Sequence, residues 1–334
     1  MSEAYLTAES ESQVHRPRYV RRNLYPVQSQ TDRIEIDRKD LASTGASVTS
    51  QGDSTALYFR PGTLNEAVQV LAAQGGQILS GGTDFFPALG DRPAPDRVVD
   101  ISALAEIRGI RFEPDFIRIG GLTTWSEIVA TPLPRCFDAL KDAAREIGGI
   151  QIQNRGTVAG NLCNASPAAD GVPPLLALDA EIELVSVAGT RRVSLGDFIV
   201  GNRKTLRRLD EILANVIVPR NLDDAPSTFL KLGARRYLVI SITMVAAVVQ
   251  ADEAGRVAEA RVAVGSCSAA AQRLSTLERA LIGAPARVGL GAVASAGHLA
   301  QLSPIDDVRA TANYRSDATL TLVSRALDAC VGSR

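Results

Sequence analysis

The chain has 334 residues, of which 46% are hydrophobic, and a formal net charge of −1, so it is long enough for two domains with buried cores. The nearly neutral charge argues against a nucleic-acid-binding surface. No apolar run reaches the roughly 18 residues that a membrane span needs, and the first residues lack a signal-peptide pattern. We therefore expect a cytoplasmic protein without a membrane span.

Residues that bind metals or act as bases are scarce. The four cysteines, Cys136, Cys163, Cys267 and Cys330, are widely spaced, which disfavours a zinc or iron–sulfur site and a disulfide framework. Only two histidines are present. We expect no catalytic side chain and no metal ligand in this chain, and any redox chemistry would rely on a bound cofactor.

The first residues differ in composition from the rest of the chain. Residues 1–54 are rich in Ser, Thr, Gln and charged side chains without an apolar period, a composition typical of a flexible arm. Beyond them, Thr63 and Glu66 predict the start of a helix that Gly75 ends. A short apolar strand that runs into a glycine loop is predicted in QILSGGTDFFPAL (77–89), a second strand at 97–102, and a third, entering a turn, in FIRIGGLTTW (116–125). Helices are predicted after Thr124 and at 135–148.

The alternation of strands, helices and glycine turns favours an α+β nucleotide-binding domain over residues 55–224. The pattern then changes, and residues 225–334 are predicted to form a second domain. In it, two long strands cover 227–252 and 255–266 and are joined by a turn. Three apolar-periodic helices follow, at 269–283, 288–301 and 317–332.

Two glycine-rich segments are candidates for a binding site. The first loop is ILSGGTDFF (78–86), and the second loop is NRGTVAGNLCNASPAADG (154–171). Glycines let backbone N–H groups point into one concavity that suits a phosphate. Neither loop matches the Walker A or Rossmann pattern. Either loop alone could be no more than a tight strand–turn–helix junction.

The second loop contains more hydrogen-bonding side chains than a turn requires. Asn161, Asn164 and Ser166 are short and suit a polyol, and Asp170 can accept hydrogen bonds from the hydroxyls of a ribose. Together the two loops predict a site for an extended ligand that contains a diphosphate. Trp125 is interpreted as a core residue, with stacking on an adenine as the alternative.

These segments resemble a known family. SGGTDF, the later IQNRGTVAGNLCNASPAADGVPPLLALDAEIEL and the segment TFLKLGARRYLVIS are similar, in order and spacing, to the flavoprotein (medium) subunit of molybdenum hydroxylases such as xanthine dehydrogenase and carbon monoxide dehydrogenase. The resemblance implies an α+β fold: a two-subdomain FAD-binding domain of the vanillyl-alcohol oxidase and cell-wall reductase type, then a small C-terminal domain with an antiparallel sheet and a helix bundle.

The resemblance also implies where FAD would bind, without a covalent bond. The first loop would wrap the diphosphate and the second would continue the cradle; Asp170 would hold a sugar-like part, Ile147 and Ile152 would lie near the adenine, and Leu213 and Lys231 near the isoalloxazine ring. The implied cofactor-binding residues are Ile78, Leu79, Ser80, Gly81, Gly82, Thr83, Asp84, Phe85, Ile147, Ile152, Gly156, Thr157, Gly160, Asn161, Cys163, Asp170, Leu213 and Lys231.

The implied function is electron transfer. Electrons would reach FAD from [2Fe-2S] clusters in a small partner subunit, after substrate oxidation in a large molybdopterin-binding subunit, and would leave to NAD or another acceptor. Many relatives have an aspartate in the segment after the lysine, and here 232–241 contains none. The alternatives are a stand-alone FAD-dependent oxidoreductase of the same fold and a scaffold subunit that has lost FAD.

Overall fold

The computed structural model describes residues 57–332, and the predicted arm, 1–54, lies outside the described residues. The strands are β1 (Leu57–Phe59), β2 (Gln77–Leu79), β3 (Arg97–Asp100), β4 (Ile110–Phe112), β5 (Phe116–Gly120), β6 (Glu181–Ser186), β7 (Gly189–Ser194), β8 (Ile199–Gly201), β9 (Lys204–Thr205), β10 (Ile212–Pro219), β11 (Ser227–Leu232), β12 (Thr243–Ala251), β13 (Val257–Gly265) and β14 (Gln272–Arg273). The helices are α1 (Leu64–Gln74), α2 (Phe85–Leu89), α3 (Trp125–Ala130), α4 (Asp138–Glu146), α5 (Ile150–Gln153), α6 (Val158–Asn164), α7 (Val172–Ala177), α8 (Leu195–Phe198), α9 (Ser275–Leu281) and α10 (Ala312–Gly332).

The first described segments form a small parallel sheet in the order β1-β3-β2, with helix α1 packed on it. The predicted start of α1 is confirmed, because the Thr63 hydroxyl accepts a hydrogen bond from the Glu66 backbone N–H at 3.2 Å. Its buried face consists of Ala67, Val68 and Leu71. The apolar residues that recur at helical spacing in this segment therefore form the face of α1 that packs on the sheet.

A five-stranded antiparallel sheet follows, in the order β4-β5-β10-β6-β7. Helices α3, α4, α6, α7 and α8 contribute buried side chains to one core with this sheet, including Trp125, Leu140 and Leu162. Helix α3 begins with a complete capping box between Thr124 and Glu127, in which each side chain accepts from the other residue's backbone N–H. Both predicted helices of this region, after Thr124 and at 135–148, are confirmed.

The last part is a four-stranded antiparallel sheet in the order β11-β12-β13-β14, with α9 and α10 on one of its faces. Strand β12 shows the period of two that a sheet buried on both sides requires. Its residues Met244, Ala246 and Val248 belong to the core of the preceding region. The alternate residues of β12 contribute to a second core, shared with the two helices.

Three sequence predictions for the C-terminal part are wrong in detail. The predicted helix 269–283 is helical only over Ser275–Leu281, because Gln272–Arg273 pairs with β13 as strand β14. The predicted strand 227–252 is two strands, because β11 pairs antiparallel with β12 and the chain must reverse direction between them, within 233–242. The predicted helix 288–301 forms only the short 3-10 segments Leu290–Val293 and Ala296–Leu299. Glycines within it are unfavourable in a helix interior, and one of them, Gly289, has a φ of 100°. The α+β fold itself is confirmed.

No helix within 57–332 combines the length and the apolar character that crossing a bilayer demands.

Candidate functional site

A cavity of about 700 Å³ lies where the two glycine-rich loops meet. The first loop enters it directly after β2, and strand β10 contributes Ile212 and Leu213 to its wall. The predicted cofactor residues that line it are Ile78, Ser80, Gly81, Gly82, Thr83, Asp84, Phe85, Ile147, Ile152, Gly156, Thr157, Gly160, Asn161, Cys163 and Leu213. Residues distant in sequence therefore share one concave surface.

The two loops touch each other through their backbones. A Cβ atom at Gly81 would lie 2.0 Å from the carbonyl oxygen of Arg155, far inside any real contact. Next to this contact the hydroxyl oxygens of Ser80 and Thr157 are 3.2 Å apart and form a hydrogen bond. Glycine is required at position 81 because no other residue lets the loops approach this closely.

The second loop is held from behind by the core. Its Thr157 hydroxyl accepts from the Gly160 N–H at 3.0 Å and so caps helix α6. The backbone N–H of Val158 donates to the Thr123 carbonyl at 3.0 Å, and Leu162 is fully buried. These contacts fix the loop on the side away from the cavity, so its cavity-facing groups are preorganised.

One polar group in the cavity wall has no partner. The Asn161 side chain lines the cavity, and its Oδ1 atom is buried and accepts no hydrogen bond from any described residue. Buried amide oxygens are nearly always paired, because an unpaired one loses its hydration without compensation. A ligand with a hydrogen-bond donor would satisfy this atom.

Asp170 and Lys231 form a buried ion pair instead of lining this cavity. The Lys231 Nζ atom donates to Asp170 Oδ2 at 2.6 Å, and the Ser241 hydroxyl donates to Asp170 Oδ1 at 2.5 Å. Burial raises the pKa of the Asp170 carboxyl, and the Lys231 ammonium and Ser241 hydroxyl oppose that rise. Lys231 also lines a second cavity of about 500 Å³, which includes Arg145 and Arg236. The ion pair thus holds the Lys231 ammonium against the second loop, to which Asp170 belongs.

The predicted residue Leu79 is buried at the end of β2 and does not line the cavity. Residues that line the cavity and that the sequence did not indicate are Gly76, Gln77, Ala88, Ile101, Ala159, Arg207, Leu209 and Ile212. Most belong to the strand ends and helix turns next to the predicted residues, so their proximity depends on the packing of the chain. Asn164, which the sequence indicates as a polyol-binding side chain, also lines the cavity.

Trp125 combines the two interpretations that the sequence left open. It is 1% exposed and lies in the core, and it also contributes to the cavity wall. A Cβ atom at Gly171 would lie 2.4 Å from its ring, so this glycine gives the indole its place. The indole ring therefore packs directly against Gly171 of the second loop.

Thiol chemistry in the cavity is suppressed by burial. Cys163 lines the cavity, and burial raises the pKa of its thiol to about 11, which leaves almost no reactive thiolate at neutral pH. All four cysteines are free. Within the part of the chain that the structure describes, no cluster of His, Cys, Asp or Glu could hold a metal ion.

Comparison with known proteins agrees with this geometry. The chain matches the family described as "FAD binding domain in molybdopterin dehydrogenase" over residues 49–221, and "CO dehydrogenase flavoprotein C-terminal domain" over residues 228–330. It is 38% identical over 236 residues to the nicotinate dehydrogenase FAD-subunit of Eubacterium barkeri, which covers 68% of this chain and 80% of that protein.

Two further proteins are similar over a larger share of the chain. The putative xanthine dehydrogenase FAD-binding subunit of Escherichia coli K12 is 32% identical over 283 residues, 83% of this chain and 97% of that protein. A structure of carbon monoxide dehydrogenase from Hydrogenophaga pseudoflava superimposes with a TM-score of 0.77 and 27% identity, over 83% of this chain and 97% of that one. The chain therefore belongs to the family of FAD-binding medium subunits of molybdenum hydroxylases, oxidoreductases whose substrate chemistry takes place on a partner chain.

Proposed function

We propose that the chain holds FAD without a covalent bond in the cavity between its two loops, and that it transfers electrons from [2Fe-2S] clusters of a small partner subunit to NAD or another acceptor. The contact between Gly81 and the Arg155 carbonyl carries this proposal. It joins the loops into one backbone cradle, and such cradles suit a diphosphate. When bound, FAD supplies the reversible redox chemistry that this chain's own side chains lack.

The residues present fit the cofactor. The absence of side chains at Gly81 and Gly160 lets the two loops pack against each other, and the resulting wall, which also includes Thr83, presents backbone groups that suit a diphosphate. The unpaired Asn161 Oδ1 offers an acceptor to a ligand hydroxyl. We assign the first loop, Thr157, Gly160 and Asn161 to the diphosphate and its neighbouring hydroxyls.

The two ends of the cofactor are assigned to different walls. We place the adenine end near Ile147 and Ile152 and the isoalloxazine ring near Leu213, all of which are cavity residues. Lys231 would add positive charge near the ring. Both Asp170 oxygens already accept one hydrogen bond, and Asp170 does not line the cavity, so we assign it the role of fixing Lys231 and not that of holding the sugar-like part of FAD.

The assembly follows from the same proposal. Residues 55–224 would form the FAD-binding domain and 225–334 the C-terminal domain that supplies Lys231. A large molybdopterin-binding subunit would oxidise the substrate, and a small [2Fe-2S] subunit would pass on the electrons. The four free cysteines support a reducing, cytoplasmic location.

The test is to purify the protein with its partners attached, denature it, and identify the released chromophore by mass spectrometry while counting iron and molybdenum. One FAD per chain with both metals is the expected result. FAD without metals would replace the proposal with a stand-alone flavoenzyme. If no flavin is present and added FAD does not bind, the loops are only turns and the proposal fails.

A further inference from the structure

The ion pair of Lys231 and Asp170 depends on a residue that lies outside both glycine-rich loops. Ser241 is 2% exposed, and its hydroxyl donates to the Asp170 oxygen that Lys231 leaves free. A buried ion pair gains from its charges only when its geometry is held and its remaining lone pairs are satisfied. Ser241 is therefore placed to keep the Asp170 carboxylate in one orientation.

Ser241 follows a segment whose large apolar side chains are mostly exposed. Within 233–240, the side chains of Tyr237, Leu238 and Ile240 are each more than half exposed, and Leu238 has a φ of 52°. The segment becomes regular only at Ile242, whose N–H donates to the Leu232 carbonyl at 2.7 Å. The position of Ser241 is thus determined by the residues that follow it, beginning with Ile242.

A buried guanidinium on α10 fixes that side. Arg315 is 3% exposed; its Nη1 atom donates to the Ile242 carbonyl and, at 3.2 Å, to the Ser266 carbonyl. The Ser266 N–H in turn donates to the carbonyl of Pro167, in the second loop, at 2.9 Å. Arg315 therefore joins the backbone beside Ser241 to the backbone that supports the second loop.

Asp307 keeps the guanidinium in place. Its Oδ1 atom accepts from Arg315 Nη2 at 2.7 Å and from the backbone N–H of Arg309 at 2.8 Å. These partners leave the guanidinium little freedom to rotate, since a planar fork with several fixed acceptors has one orientation. The chain of contacts then runs from Asp307 through Arg315 to the carbonyl of Ile242, and from the adjacent Ser241 to Asp170.

We propose that Ser241 and Arg315 are positioning residues that hold the Lys231–Asp170 pair in register with the second loop, and so set the charge that this chain presents to the flavin. The flavin part of this inference rests on the proposed function. The positioning part concerns contacts between side chains of this chain alone, and it can be tested without the cofactor.

The first test measures how fast Lys231 is acylated by acetic anhydride in the cofactor-free chain, followed by peptide mass spectrometry. Ser241→Ala should raise the rate about tenfold, the factor that corresponds to one lost hydrogen bond to a charged group. Ser227→Ala is the matched control, because the partners of this buried hydroxyl among the described residues are Arg135 and Ala139, although Ser227 lies on the same strand as Lys231. An unchanged rate in Ser241→Ala, or an equal rise in the control, would overturn the proposal.

The second test uses Arg315→Lys, which keeps the charge but cannot bridge two carbonyls and a carboxylate in the same way. Its Lys231 acylation rate should rise as in Ser241→Ala. Arg261→Lys is the control, since this arginine is as buried but pairs with Asp179 and Glu259. A rise in both variants would mean a general loss of packing and would refute the role of Arg315.

With FAD bound, both Ser241→Ala and Arg315→Lys should shift the midpoint potential and the visible absorption of the flavin, whereas Ser227→Ala and Arg261→Lys should shift neither. If Ser241→Ala and Arg315→Lys raise the acylation rate but leave the flavin potential and absorption unchanged, the effect on the flavin is refuted. The positioning of the Lys231–Asp170 pair by these residues would then still stand. Failure of the native chain to bind FAD would refute the proposed function, and the acylation rates would still decide the positioning.

Discussion

The two glycine-rich loops line the same cavity but are supported differently. The second loop contains α6 and leads into α7, and residues Val158, Leu162 and Leu175 of these helices are fully buried. The first loop leads into α2, which has no buried residue, and Phe86 within that helix is 60% exposed. The first loop therefore takes its position from the second, through the Gly81 contact and the Ser80 hydroxyl. The second loop is therefore part of the core, whereas the first loop is held by its contacts with the second.

The largest expected effect is on the free energy of unfolding, which should respond differently to substitutions in the two loops. Leu162→Ala removes a fully buried side chain behind the second loop and should lower the free energy of unfolding by about 2–5 kcal/mol. Phe86→Ala, in the first loop's helix, should change it by less than about 0.5 kcal/mol. Urea unfolding followed by circular dichroism measures both values. Similar losses in the two variants would contradict the asymmetry.

The next effect tests the contact between the two loops. Gly81→Ala places a Cβ atom against the Arg155 carbonyl, and because the core holds the second loop, the first loop must move away. We expect FAD content per chain to fall by a factor of about ten or more, which corresponds to about 1.4 kcal/mol. Gly201→Ala is the control, as a Cβ there meets no atom within 4 Å. Full FAD content in Gly81→Ala would show that the loops can separate freely.

A smaller effect comes from the hydrogen bond that joins the loops. Thr157→Ala removes this bond and also the cap of α6, so it should cost about 1 kcal/mol or more. Ser80→Ala removes the bond alone and should cost about 0.5–1 kcal/mol. The double variant, measured by the same unfolding experiment, should lose less than the sum of the two. Strict additivity would mean that the two hydroxyls do not interact.

The smallest effect concerns pH. Burial raises the pKa of the Cys163 thiol from 9.0 to about 11, so between these values the native state binds more protons than the unfolded state. The thiol's contribution to stability is therefore lost as pH rises through this interval. The stability advantage of the native chain over Cys163→Ala should shrink between about pH 9 and about pH 11, measured by urea unfolding. The difference between the native chain and Ser80→Ala should stay constant, since a serine hydroxyl does not titrate there.

Features with local causes could be predicted from the sequence. The starts of α1 and α3 follow from a threonine and a glutamate three residues apart, and those helices begin at Leu64 and Trp125. The predicted cofactor residues in the two loops, apart from Leu79 and Asp170, also meet at one cavity. The prediction of the two loops succeeded because the glycines that such a loop needs lie within a few residues of one another in the sequence.

Features that depend on distant parts of the chain could not be predicted. The pairing of Asp170 with Lys231 arises because β11 passes behind the second loop, 61 positions further along the chain. The reversal between β11 and β12 was missed because 227–252 is apolar on both sides of it, and an apolar run does not show where it folds back. Pairing partners and reversals are properties of the packed structure.

The hydrogen bond between Ser80 and Thr157 also bears on how the protein folds. The two residues are 77 positions apart, so closing the cradle orders a long stretch of chain for a few contacts, and such steps are slow. The second loop can form with its core before the first loop arrives. We therefore expect the cradle to close late in folding, and newly made chains to acquire FAD only after the rest of the domain is in place.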